Sequence, residues 1–182
     1  MILLLGIAGS GKGTQGKLLA ATRGYHVLST GELLRKYGSD EQHARMHKGK
    51  ILGDDEVTAL VDKALNNLDA QDRTILDGYP RTLTQADWLL APDKRSRFSL
   101  QYVLHLKASR GAVKARLHER ARVDDHDAAI EARFNEYEQV TLPILAHYQE
   151  AGIKIIEIDA EQPIEDVHQE ILAADYQCSP GK

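Results

Sequence analysis

Lys12 is the residue of this chain most clearly placed to do chemistry. It lies in Gly6-Ile7-Ala8-Gly9-Ser10-Gly11-Lys12-Gly13-Thr14, a glycine-rich loop. Glycines let a backbone curl until several N–H groups point inward, and a helix starting there adds positive potential. With Lys12 as a mobile cation, and Gly9, Ser10, Gly11, Gly13 and Thr14 as the cradle, such a loop holds the phosphates of a nucleoside triphosphate or a similar polyphosphate. The usual form of the loop puts a hydroxyl directly after the lysine, where it holds magnesium. Here Gly13 intervenes and the hydroxyl is that of Thr14.

A phosphate loop is credible only between a strand and a helix. Ile2-Leu3-Leu4-Leu5 is continuously apolar and reads as a strand buried on both faces, and 12–21 lacks proline and reads as a helix. Further strands are expected at 26–29, 74–77, 100–106 and 153–158, with helices between them. Thr30 is a plausible helix cap. The stretch 37–50 is polar and short-helical. Val57, Leu60, Val61, Ala64, Leu65 and Leu68 share one face of a helix from Asp54. A helix runs from Ser109 to about Arg120, and another from about Asp127, which Pro143 should kink. Five strands separated by helices predict an α/β fold: a three-layer sandwich of the phosphate-loop NTPase kind, with a five-stranded parallel sheet. Ligands in such sheets bind at the C-terminal strand ends. There lie the phosphate loop, Ser29-Thr30-Gly31 and Asp77-Gly78. Asp77, opposite the loop, is suited to magnesium through water, as is Thr14.

Length and composition set further bounds. The 182 residues are expected to make one domain, 42% hydrophobic and 27% charged, as in an ordinary globular enzyme. The net charge of −4 argues against broad nucleic-acid binding. Cys178 is the single cysteine, so no disulfide framework or four-cysteine structural zinc site forms within the chain, and a reducing, cytoplasmic setting fits. No segment is long enough to span a membrane, and the tail 177–182 looks loosely held. His43 and His47 stand four apart on a polar face but have no evident third ligand. His105 and His168 receive no role.

The chain resembles the adenylate kinases over nearly its whole length. The matching segments are 6–15 (with Gly11-Lys12-Gly13-Thr14-Gln15), 29–35, Gly49-Lys50-Ile51-Leu52, Asp77-Gly78-Tyr79-Pro80-Arg81-Thr82, Gln85, Arg122-Val123-Asp124-Asp125 and Arg133. The resemblance implies magnesium-dependent phosphoryl transfer from ATP to AMP, giving two ADP. It implies that Lys12, Arg81, Arg122 and Arg133 carry catalysis, and that 9–14, Arg116 and Arg120 hold ATP. It further implies that Thr30, Arg35, Lys50, Ile51, Leu52, Gly78, Arg81, Gln85, Arg122 and Arg133 hold AMP, and that 30–60 forms a small helical AMP-binding insertion. Gln85 would meet the adenine, and the loop 159–163 would touch the donor base through its backbone. The chemistry agrees, since phosphoryl transfer needs in-line positioning and charge compensation rather than a nucleophilic side chain. Arginine's planar fork suits it, and loss of one well-placed donor costs about 2.7–4 kcal/mol. Read alone, Arg35, Arg116 and Arg120 would be surface charges and Asp124-Asp125 a helix cap.

Two features depart from the family. Ala8 stands where proline is usual, and only Ala121 separates Arg120 from Arg122, so the lid expected there shrinks to a turn at 120–124. The alternatives are a pyrimidine (CMP or UMP) monophosphate kinase of the same fold, and a nucleotide-binding regulator that has lost catalysis with its lid. ATP against GTP as donor, and monomer against homo-oligomer, stay open.

Overall fold

A computed structural model describes residues 1–47, 52–68, 73–95 and 97–178. Five strands, β1 (Ile2–Leu5), β2 (His26–Ser29), β3 (Thr74–Asp77), β4 (Tyr102–Lys107) and β5 (Lys154–Asp159), form one parallel sheet in the order β2-β3-β1-β4-β5. The helices are α1 (Lys12–Arg23), α2 (Thr30–Tyr37), α3 (Asp40–His47), α4 (Asp54–Asn66), α5 (Leu83–Leu90), the short α6 (Pro92–Arg95), α7 (Arg110–Arg120), α8 (Asp127–Glu136), α9 (Pro143–Glu150) and α10 (Ile164–Cys178).

Successive side chains of a strand point to opposite faces, and both faces of this sheet are covered. Ile2, Leu4, Ile75 and Leu104 pack under Leu19 of α1 and Val167, Ile171 and Ala174 of α10. Leu3, Leu5, Leu76 and Val103 pack under α4, α5 and α9 through Val61, Leu65, Ala86, Leu89, Ile144 and Tyr148. This is why β1 carries no polar residue: central in the sheet, it has no solvent face. A satellite core of Ile7, Val113, Leu117, Ile130 and Phe134 ties the phosphate loop to α7 and α8. Deep in the first layer the Asp175 carboxylate takes hydrogen bonds from Arg23 Nε (2.7 Å), Tyr25 Oη (2.8 Å) and Tyr102 Oη (2.6 Å), anchoring α10.

The structure corrects four expectations. Thr30 is the first residue of α2 and Ser29 occupies the cap position; the buried Thr30 hydroxyl donates instead to the Asp77 carbonyl at 3.1 Å. Pro143 does not kink a continuous helix. A π-helical turn, Tyr137–Thr141, follows α8, and Pro143 then opens α9, where its missing N–H is harmless. Gln177 and Cys178 belong to α10 rather than to a loose tail, and Cys178 Sγ accepts a bond from Lys154 Nζ, while 179–182 lie outside the described residues. His43 is half-buried, bonded through Nε2 to the Leu34 carbonyl at 2.9 Å, rather than on a solvated face. Among the described residues no helix is long and apolar enough to cross a membrane, and no three His, Cys, Asp or Glu gather as metal ligands.

Candidate active site

The C-terminal ends of the strands open into a cleft of about 620 Å³, walled by the phosphate loop, Asp77-Gly78, Arg81 and a set of further arginines. β1 delivers the loop. Gly9 takes a left-handed φ of +92°, and a Cβ there would stand 2.9 Å from Leu117, so only glycine lets the loop lie flat on α7. α1 begins at Lys12, and its first-turn residues Lys12, Gly13 and Thr14, whose N–H groups lack intrahelical partners, line the cleft. Ser10 is turned inward: its N–H donates to the Ile7 carbonyl at 3.1 Å and its side chain is buried.

Lys12 folds back over the loop, donating to the Gly6 carbonyl at 2.6 Å and to that of Ile7 at 2.8 Å. Burial pushes its ammonium down to about 8, Arg81 and Arg120 push the same way, and Asp77 opposes them. Asp77 ends β3 half-buried, its Oδ2 held by Ser29 Oγ at 3.2 Å, and Thr14 is exposed in the first turn of α1; both line the cleft.

Arg81 is fixed along its main chain. Its N–H donates to Gln85 Oε1 at 2.7 Å, its carbonyl accepts from Thr141 Oγ1 at 3.1 Å, and its Nε donates to the Gly78 carbonyl at 3.0 Å. Gly78 has a φ of +80°, and a Cβ there would fall 2.7 Å from Thr30 Oγ1. The Arg81 guanidinium is exposed on the cleft wall, but the surrounding protein lowers it from its usual range, Arg133 adding and Asp77 opposing.

Asp125 gathers the remaining arginines. Arg120 grips its carboxylate through Nε (2.8 Å) and Nη2 (2.6 Å), Arg133 Nη1 donates at 3.1 Å, and the Arg122 N–H donates at 3.1 Å. Arg133 also pairs with Asp124. Burial works against the Asp125 charge, but these bonds outweigh it and hold the carboxyl below its usual range. Arg116 reaches across to the Ala160 carbonyl at 2.8 Å, joining α7 to the loop after β5, of which Ala160 and Gln162 line the cleft.

The cleft thus brings together Gly9, Ser10, Gly11, Lys12, Gly13, Thr14, Arg35, Asp77, Gly78, Arg81, Arg116, Arg120, Arg122 and Arg133. Thr30, Leu52 and Gln85 stand behind its wall, all nearly fully buried; Lys50 and Ile51 lie outside the described residues. Sequence reasoning missed three participants. Thr141 and Tyr137 of the π-helical turn face the cleft, and Asp54 accepts through Oδ1 from Gln85 Nε2 and Thr82 Oγ1, both at 2.8 Å. The tyrosine hydroxyl meets His105 Nε2 at 2.7 Å, which gives the buried His105 a structural partner. The spacing from Asp54 to Gln85 carries no local signal, because the two meet only when α4 packs beside α5.

This cation-lined cleft agrees with what the chain is similar to. Residues 4–153 match the family model described as adenylate kinase. Adenylate kinase 1 of Synechocystis sp. is 35% identical, the alignment covering 91% of each chain. The adenylate kinase of Corynebacterium aurimucosum is 37% identical, over 94% of this chain and 97% of its own. That of Tropheryma whipplei is 34% identical, over 93% and 94%.

Proposed function

The chain belongs to the adenylate kinase family, and from that premise we propose how its residues carry phosphoryl transfer from ATP to AMP, giving two ADP. The observation that carries the reading is the convergence of Lys12, Arg35, Arg81, Arg116, Arg120, Arg122 and Arg133 on one cleft of a chain whose net charge is −4. Such a concentration of cations against the global charge is what two polyanionic substrates require.

The first-turn N–H groups of α1 and the Lys12 ammonium hold the donor phosphates, Lys12 exchanging its two loop carbonyls for phosphate oxygens. Arg35 and Arg81 hold the acceptor phosphate on the opposite wall. Arg120, Arg122 and Arg133 compensate the charge that spreads over the equatorial oxygens during transfer. Arg116 and the backbone of 159–163 flank the donor base, and Thr30, Leu52 and Gln85 underlie the acceptor base, with Lys50 and Ile51 assigned to the same pocket. The 30–60 segment serves as the acceptor-binding insertion, and 120–124 stands in the place of a lid.

Magnesium fits the donor set. Thr14 offers a hydroxyl and Asp77 a carboxylate, both oxygen groups of the kind that would hold a hard cation through its waters. Bound with ATP, the ion would supply neutralisation of the charge on the phosphates.

The deciding experiment is a coupled assay of ADP formation from ATP and magnesium with AMP, CMP, UMP or GMP in turn. Turnover with AMP, well above that with the others, is the expected result. ADP formed preferentially with CMP or UMP would overturn the acceptor assignment. No turnover with any acceptor would overturn the enzymatic reading altogether.

A further inference from the structure

Gln85 is almost fully buried, and the groups around it leave no freedom in how its amide is turned. An ionised carboxylate only accepts hydrogen bonds, and a backbone N–H only donates. Asp54 Oδ1 faces one end of the amide at 2.8 Å and the Arg81 N–H faces the other at 2.7 Å. Nε2 must therefore lie toward Asp54 and Oε1 toward Arg81. Turning the amide over would set oxygen against carboxylate and NH2 against N–H, losing both bonds and creating two repulsions. Thr82 Oγ1, donating to the same Oδ1 at 2.8 Å, holds the carboxylate in place, and Thr82 in turn caps α5 by accepting from the Gln85 N–H.

A primary amide has two N–H donors and two acceptor lone pairs. The contacts with Asp54 and Arg81 use one of each, leaving one donor and one acceptor in a fixed order. A 6-aminopurine presents a ring-nitrogen acceptor beside an amino donor, the complement of that pair. A 6-oxopurine presents the reverse, a ring N–H beside a carbonyl, and would match only an amide turned over.

We propose that Asp54 is a specificity-determining positioning residue: it locks the orientation of the Gln85 amide and so makes the acceptor site select a 6-amino over a 6-oxo purine monophosphate. The inference rests on the reading above in which Gln85 meets the acceptor base. Asp54 touches no substrate; it acts through Gln85.

The test compares kcat/KM for AMP with that for IMP, at saturating ATP, in the wild-type protein and in the Asp54→Asn and Gln85→Leu variants. An asparagine at 54 can offer either NH2 or oxygen, so with almost no change in shape it removes one of the two constraints on the amide, leaving only the Arg81 N–H to orient it. The expected result is a fall of about tenfold or more in the AMP-to-IMP ratio for Asp54→Asn, the equivalent of about one hydrogen bond. KM for ATP and the thermal midpoint should stay near wild type, which a general loosening of the fold would not allow. Asp54→Ser, a residue well tolerated at helix starts, gives the same comparison if the asparagine variant fails to fold. Should Gln85→Leu abolish the discrimination while both Asp54 variants keep it, the lock is overturned. Should Gln85→Leu itself leave both KM for AMP and the ratio unchanged, Gln85 does not read the base, and the underlying site assignment fails instead.

Discussion

At the scale of single residues, the site works by holding cations where charge appears, and its ionisation follows. Lys12 must be protonated to bind phosphate, and burial brings its ammonium down to about 8 in the free protein. For a lysine depressed in this way, the charged form is present below that value and is lost as pH rises through it. The kcat/KM for ATP, which reports the free enzyme, should therefore fall as pH climbs past about 8. The limb should be weaker in kcat, because bound phosphates restore the ammonium. Initial rates across the alkaline range check this, and a flat kcat/KM profile there would contradict it. Lys12 was legible from its loop alone. Asp54 was not, because its role comes from one contact with Gln85 across 31 positions of sequence.

At the scale of elements, the π-helical turn Tyr137–Thr141 is the feature that periodicity could not show. An apolar pattern of 3.6 residues reads as one helix through that region, and only the Leu142 N–H bonding back to the Tyr137 carbonyl at 2.8 Å reveals the wider turn. Its consequence is that Thr141 donates to the Arg81 carbonyl. Thr141→Val keeps the shape and removes that donor, a loss of about 1 kcal/mol. KM for AMP should rise several-fold while KM for ATP holds, as steady-state kinetics with each substrate varied would show. Equal changes in both constants would mean that the turn supports the whole cleft rather than the acceptor arginine. The same reasoning explains the displaced cap at Thr30: the side chain that looked free to cap α2 is drawn to the Asp77 carbonyl by the parallel pairing of β2 with β3.

At the scale of the whole molecule, α7 and α8 are joined by 121–126 alone, and Asp125 ties Arg120 to Arg133 across that turn. So short a connection leaves no chain from which to build a closing lid, and lids normally keep water from the reacting phosphates. ATP should accordingly release inorganic phosphate slowly without AMP, or the protein should associate through a face beside 116–125. Phosphate release and light scattering on the same sample decide it, and a monomer with no release would show that substrates and the 30–60 segment exclude water unaided. What the sequence by itself determined was whatever depends on near neighbours in the chain: the phosphate loop, the buried run of β1, the carboxylate closing β3, the order of strand and helix, and the resemblance those motifs carry in sequence. What only the tertiary structure decided was everything set by packing between distant segments. That includes the sheet order, the seating of Gly9 on α7, the grip of Thr141 and Gln85 on the main chain of Arg81, and the burial that lowers Lys12. Local sequence dictates backbone shape and which faces are apolar, but buried hydrogen bonds choose their partners only once the layers close and water is gone.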